Sequence, residues 1–131
     1  MSYKETEAYK AHQKLGFPKL EDEVQLELLV THNHKPIKDL CPEIKSFPFG
    51  LLNEYITVSK SQLKNYLDKV NYVEKQLRTF SKKHDGFWLK KDGENYVFFE
   101  RERGLEFNHV ELGGINEVLE FYANHLGSWC K

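Results

Sequence analysis

His32-x-His34, met on an extended stretch of chain, would set two imidazoles on the same side, the geometry from which a metal site begins. Two further ligands would be needed, and His109 and Glu111 are residue types too common in any chain to complete a motif. Cys41 lies in the same region, and with His32 or His34 it would make a thiol nucleophile and its base. Such a thiol also needs a pocket and an orienting group, and nothing adjacent resembles a nucleophile motif. Glu100-Arg101-Glu102-Arg103-Gly104 carries chemistry of another kind. Alternation along a strand sends Glu100 and Glu102 to one face and Arg101 and Arg103 to the other, which serves either ion pairing with neighbouring strands or a recognition patch. Gly113-Gly114 lacks the Lys-Ser/Thr or the further glycine of a phosphate cradle. No catalytic residue, metal or cofactor is expected from these patterns.

The element expected to organise the chain is a helix over 61–84. Leu63, Tyr66, Leu67, Val70, Val73, Leu77 and Phe80 recur at helical spacing, Ser59 and Gln62 have the separation of a capping box, and Gly86 after His84-Asp85 is placed to close the helix. Phe87 to Glu102 reads as a β-hairpin turning at Asp92-Gly93, followed by a strand from Leu105 to Glu111 and a helix from Ile115 to Leu126. Upstream, Glu5 to Leu15 reads as a short peripheral helix stopped by Gly16 and Pro18. Val24, Leu26, Leu28 and Val30 alternate, which favours a strand over 23–31, although Leu29 breaks the alternation and Leu and Glu suit a helix. Pro36, Pro42 and Pro48 make 32–55 an irregular segment, whose aromatics Phe47 and Phe49 cover the core or offer a binding edge. The expected fold is α+β: an antiparallel sheet of three to four strands packed against a long helix, with further helices at both ends.

With 131 residues, 40% hydrophobic and 30% charged, the chain fits one soluble domain over 1–131, and no apolar run reaches membrane-spanning length. Met1 to Glu5 opens without a secretory apolar core, and Cys41 and Cys130 match no paired spacing, so two reduced thiols in a cytoplasmic protein are expected. The net charge of −1 conceals segregation: residues 60–91 carry nine Lys or Arg and three Asp or Glu, whereas residues 92–130 carry two and eight. Lys64, Lys75, Arg78 and Lys82 line one helical stripe, but Asp68 interrupts it and no aromatic residue is interleaved for base stacking. A nucleic-acid partner is therefore not expected. The two segments either neutralise each other or leave an acidic face for a basic partner.

Gly86-Phe87-Trp88, Asp92-Gly93, Tyr96-Val97-Phe98-Phe99-Glu100-Arg101, Arg103-Gly104 and the helical Glu117-Val118-Leu119-Glu120-Phe121-Tyr122 together resemble small immunity proteins of bacterial polymorphic toxin systems, including contact-dependent inhibition. The resemblance implies a cytoplasmic, non-enzymatic protein that binds one toxin domain and blocks its active site or substrate approach. Toxins of these systems are often nucleases with basic clefts, so Glu94, Glu100, Glu102, Glu106 and Glu111 are the residues expected to steer and cap one, with Trp88 and Tyr96 as aromatic anchors. Two other classes stand beside this one. One is a small enzyme or ligand-binding protein using a pocket near His32, His34 and Cys41; the other is an adaptor domain with no toxin partner.

Overall fold

The computed structural model describes residues 2–79 and 85–131. The fold is α+β, combining helices with a three-stranded antiparallel sheet. By its internal contacts the chain divides into two compact units, residues 1–63 with 126–131, and residues 64–125.

The first unit is built from short helices: α1 (Glu7–Lys14), α2 (Asp22–Thr31), α3 (Lys35–Lys38) and α4 (Leu52–Tyr55). Thr6 starts α1 by accepting the Tyr9 N–H on its side chain, and Gly16, at φ +77°, lies just past its end. The helix is less peripheral than its polar sequence implies, because Ala8 and His12 are both buried.

The 23–31 run is helical, not the strand its alternation favours. Its buried residues are Gln25, Leu26, Leu28 and Leu29, a single helical stripe that the alternate valines and leucines conceal. Leu and Glu are good helix formers, and His32 ends the helix in the left-handed region at φ +57°.

Gln25 is fully buried, and its amide takes the place of a neighbouring strand. Its oxygen accepts the N–H groups of Thr57 and Val58 at 2.7 and 3.2 Å, and its nitrogen donates to the Leu20 carbonyl at 2.9 Å and the Thr57 hydroxyl at 3.0 Å. The C-terminal residue closes the same segment, since the Lys131 N–H donates to the Val58 carbonyl at 3.0 Å. Gly50 is required for a separate reason: a Cβ there would lie 2.2 Å from the ring of Tyr3.

The expected long helix is two helices, α5 (Lys60–Lys69) and α6 (Tyr72–Thr79). The capping box is formed as read, with the Ser59 N–H donating to Gln62 Oε1 at 2.9 Å and the Gln62 N–H to Ser59 Oγ at 3.2 Å. The break falls at Asn71, whose φ of +56° ends α5, while its carbonyl accepts the Lys75 N–H that begins the α6 ladder. Asn tolerates this conformation, so one residue redirects the chain without disturbing the apolar spacing on either side. Leu63, Leu67 and Val73 of the stripe are buried, whereas Phe80, Lys82 and His84 lie outside the described residues. Gly86 is the first residue of β1 (Gly86–Asp92).

Strand β1 pairs with β2 (Asn95–Glu102) through the Gly93-Glu94 loop, and β2 pairs with β3 (Leu105–Leu112) through Arg103-Gly104. Both loop residues of the second hairpin have positive φ, +53° and +82°, the handedness that matches twisted strands. The Asp85 carboxylate accepts the Arg103 N–H at 3.0 Å and ties this turn to the start of β1. Helix α7 (Ile115–Leu126) has the bounds read from its apolar stripe, with Val118, Leu119, Tyr122 and Ala123 buried.

Candidate partner interface

The register of the sheet decides which charged side chains share a surface. Phe98 faces Val110 and Glu100 faces Phe107, so Asn108 and His109 together oppose Phe99. This is a β-bulge, made possible by Asn108 at φ +54°. The extra residue inverts the alternation of β3 at its midpoint: Leu105 and Phe107 before the bulge, and Val110 and Leu112 after it, all lie on one face. On that face they join Phe87 and Leu89 of β1 and Tyr96, Phe98, Glu100 and Glu102 of β2.

Helix α7 covers only part of this face. Phe98 packs against Phe121, Tyr122 and His125, with ring centroids 4.8, 5.9 and 5.8 Å apart, and Tyr122 is held in turn by Tyr72 of α6 at 5.0 Å. Burial pushes the Tyr122 hydroxyl well above its ordinary pKa, as expected of a phenol inside an aromatic cluster. The cover is already incomplete at Val110, exposed opposite Phe98 on β3, and one row further toward the Arg103-Gly104 turn it ends. Phe87 stacks on Phe98 at 5.6 Å and reaches His125 only at 6.5 Å.

The uncovered end holds Phe87, Phe107 and Leu105, which are 60%, 36% and 72% exposed, with Glu100 and Glu102 between them. Glu100 receives one contact from the Asn108 side-chain amide at 3.4 Å. Large apolar groups gathered on one surface with carboxylates among them mark an interaction site more often than scattered exposed hydrophobics do.

The opposite face is chemically satisfied. Trp88, Val97 and Phe99 form a buried cluster, and Lys90 lies 5.0 Å from the Phe99 ring centre while donating to Glu106 at 3.2 Å. His109 stacks on Phe99 with centroids 5.5 Å apart and contacts the same Glu106 oxygen at 3.4 Å. The hydrogen bond from Lys90, with a smaller contribution from His109, holds the Glu106 carboxyl below the usual range.

The residues read from the sequence as one acidic surface therefore separate. Glu100 and Glu102 share the uncovered end; Glu106 and Glu111 occupy the opposite face, opposite Arg101 and Val97; Glu94 sits in the loop at the other end of β2. Tyr96 is half-buried and lines a small pocket with Leu67, Leu77, Ile115 and Leu119. Trp88, expected as an anchor, is 5% exposed and belongs to the core. Phe87, Leu105 and Phe107, which carry the exposed apolar surface, were not among the expected contacts. Their signal was Asn108-His109 in mid-strand, because a bulge there keeps the apolar residues of β3 on one face.

His32, His34 and Cys41 do not adopt the arrangement that their spacing suggests. His32 closes α2 and His34 precedes α3, so they are not on one extended stretch. The His34 ring stacks on Phe47 at 4.6 Å and meets Phe49 at 5.5 Å, and burial followed by the nearby Lys38 and His32 pushes its pKa down. The Cys41 thiol is 4% exposed, and burial together with Glu43 pushes its pKa up, which opposes thiolate formation. Among the described residues, no three His, Cys, Asp or Glu side chains gather to hold a metal ion, and no helix is long and apolar enough to cross a membrane. No protein-family model, curated protein or solved structure matches the chain.

Proposed function

We propose that this protein is an immunity protein that acts in the cytoplasm, binding a cognate cationic toxin domain and shielding its active site or substrate approach. The observation that carries the reading is the uncovered end of the sheet, where Phe87, Leu105 and Phe107 surround Glu100 and Glu102. Aromatic and aliphatic groups there supply area that a partner removes from water. The two carboxylates favour a basic surface and repel nucleic-acid phosphates. A nuclease toxin has such a surface, because its substrate is an anion. The resemblance of the motifs from Gly86 to Gly104 and of Glu117 to Tyr122 to immunity proteins agrees with this use of the hairpin.

The test begins with the gene immediately upstream. If it encodes a toxin, its C-terminal domain should arrest growth when expressed alone, be neutralised by this chain in the same cell, and co-purify with it at a fixed stoichiometry. A neighbour with no such domain, or a toxin that neither binds nor is neutralised, contradicts the assignment.

A further inference from the structure

Phe87, Glu100 and Phe107 form one row across the three strands, each directly opposite the next, on the face that α7 leaves uncovered. Directly opposed residues have Cβ atoms about 5 Å apart, so the two rings flank a central carboxylate on neighbouring strands. Beyond a long contact from Asn108, the described residues give Glu100 no partner, and none makes an ion pair with Glu102. Glu102 lies on the same face about 7 Å further along β2. Leu105, opposite Glu102, extends the apolar border past that second carboxylate.

We propose that this row is a clamp for an arginine side chain of a basic protein partner. A guanidinium is flat, so it can lie against one of the flanking rings while its N–H fork reaches a carboxylate in a bidentate pair. Lysine is a less suitable occupant, because its ammonium is more strongly hydrated and has no plane to stack. Glu102 offers a second cationic contact, so a segment with two arginines fits better than a single one.

A second copy of this chain fits poorly. Its matching surface would bring its own Glu100 and Glu102 against these two, and pairing β3 with β3 over its full length would set Glu106 opposite Glu111 twice. A phosphate-bearing ligand meets the same repulsion. The inference rests on the immunity-protein reading for the identity of the partner, while the clamp itself can be tested without any toxin.

The test uses the full 131-residue chain, isotopically labelled and followed by NMR. It is titrated at low ionic strength with a capped Gly-Arg-Gly-Arg-Gly peptide and with its lysine counterpart. The arginine peptide should bind in the millimolar range with shifts concentrated over 86–88 and 99–107, and at least fivefold more tightly than the lysine peptide. Glu100→Gln and, separately, Phe107→Ala should each weaken it at least fivefold while leaving the dispersion of the remaining signals unchanged.

Equal affinity for the two peptides, shifts centred elsewhere, or concentration-dependent broadening of these residues without peptide would overturn the clamp. A peptide response from a chain that fails to neutralise any toxin keeps the clamp and removes the toxin. Neutralisation with no arginine response does the reverse.

Discussion

The two units of this molecule differ in where their out-of-place side chains gather. Residues 1–63 with 126–131 turn polar groups inward and satisfy them: Gln25 makes paired contacts with 57–58 and with Leu20, and His12 Nδ1 lies 2.6 Å from the Tyr55 hydroxyl. Residues 64–125 gather exposed apolar groups in one row at an end of the sheet, whereas the exposed Phe49 of the first unit sets its ring against His34 and Phe47. A buried polar group with all its partners in place is complete as architecture. An exposed aromatic row beside a carboxylate is complete only when something covers it. The difference separates residues that hold the fold from residues available for binding, although His12 and Cys41 look more like chemistry on paper than Phe107 does.

The largest effects should come from the buried side of that contrast. Phe99→Ala, on the covered face of β2, should cost about 3–5 kcal/mol in urea unfolding, because it removes a fully buried ring and leaves a cavity. Loss of less than about 1 kcal/mol would mean that the Trp88–Val97–Phe99 cluster is not a core. Gln25→Leu comes next, at about 2–3 kcal/mol, since it keeps the volume but strands two N–H donors and a carbonyl. A neutral outcome would show that 56–58 does not depend on that amide for its partners.

A smaller effect concerns acid. Burial lowers the pKa of His12 from its ordinary 6.5, and the nearby Glu43 offsets this only in part. The unfolded chain therefore takes up a proton below about 6.5 that the folded chain refuses, so stability is complete above that pH and declines as pH falls toward the folded value. Replacing the imidazole by His12→Asn should flatten the fall in urea midpoint between about pH 7 and pH 5 relative to the parent, whatever its cost at neutral pH. Parallel curves for the two proteins would assign the acid sensitivity to other groups, His34 first among them.

Much of the second unit was legible because its signals are local. Gly93 and Arg103-Gly104 carry the turn conformations, just as Ser59 with Gln62, in the first unit, starts α5 as their spacing requires. The α7 stripe needs no tertiary information to be seen. What stayed hidden depended on a single residue or on burial. Val24, Leu26, Leu28 and Val30 alternate as a strand would, and only packing reveals that Gln25, Leu26, Leu28 and Leu29 are the buried set. Asn71 divides the long helix and Asn108 inverts the alternation of β3, yet each is one unremarkable residue in an otherwise regular pattern. The bulge also puts Glu111 on the face away from Glu100 and Glu102, while Glu106 lies there by its register before the bulge and Glu94 sits in a loop. Trp88 was misplaced for a related reason, since alternation says which face it shares with Phe99 but not which face is covered.

The central claim is that the outward apolar residues serve a partner and not the fold, and Phe87→Ser/Phe107→Ser in one chain tests it most directly. Both rings are exposed, so the double variant should melt within about 3 °C of the parent, in keeping with surface substitutions of small energetic effect. Binding to the toxin domain proposed as its partner, measured by calorimetry on the same samples, should weaken by about a hundredfold or more, as loss of two aromatic anchors does. A variant that melts like the parent and binds as tightly would contradict the account, because the uncovered end of the sheet would then be a surface without a partner.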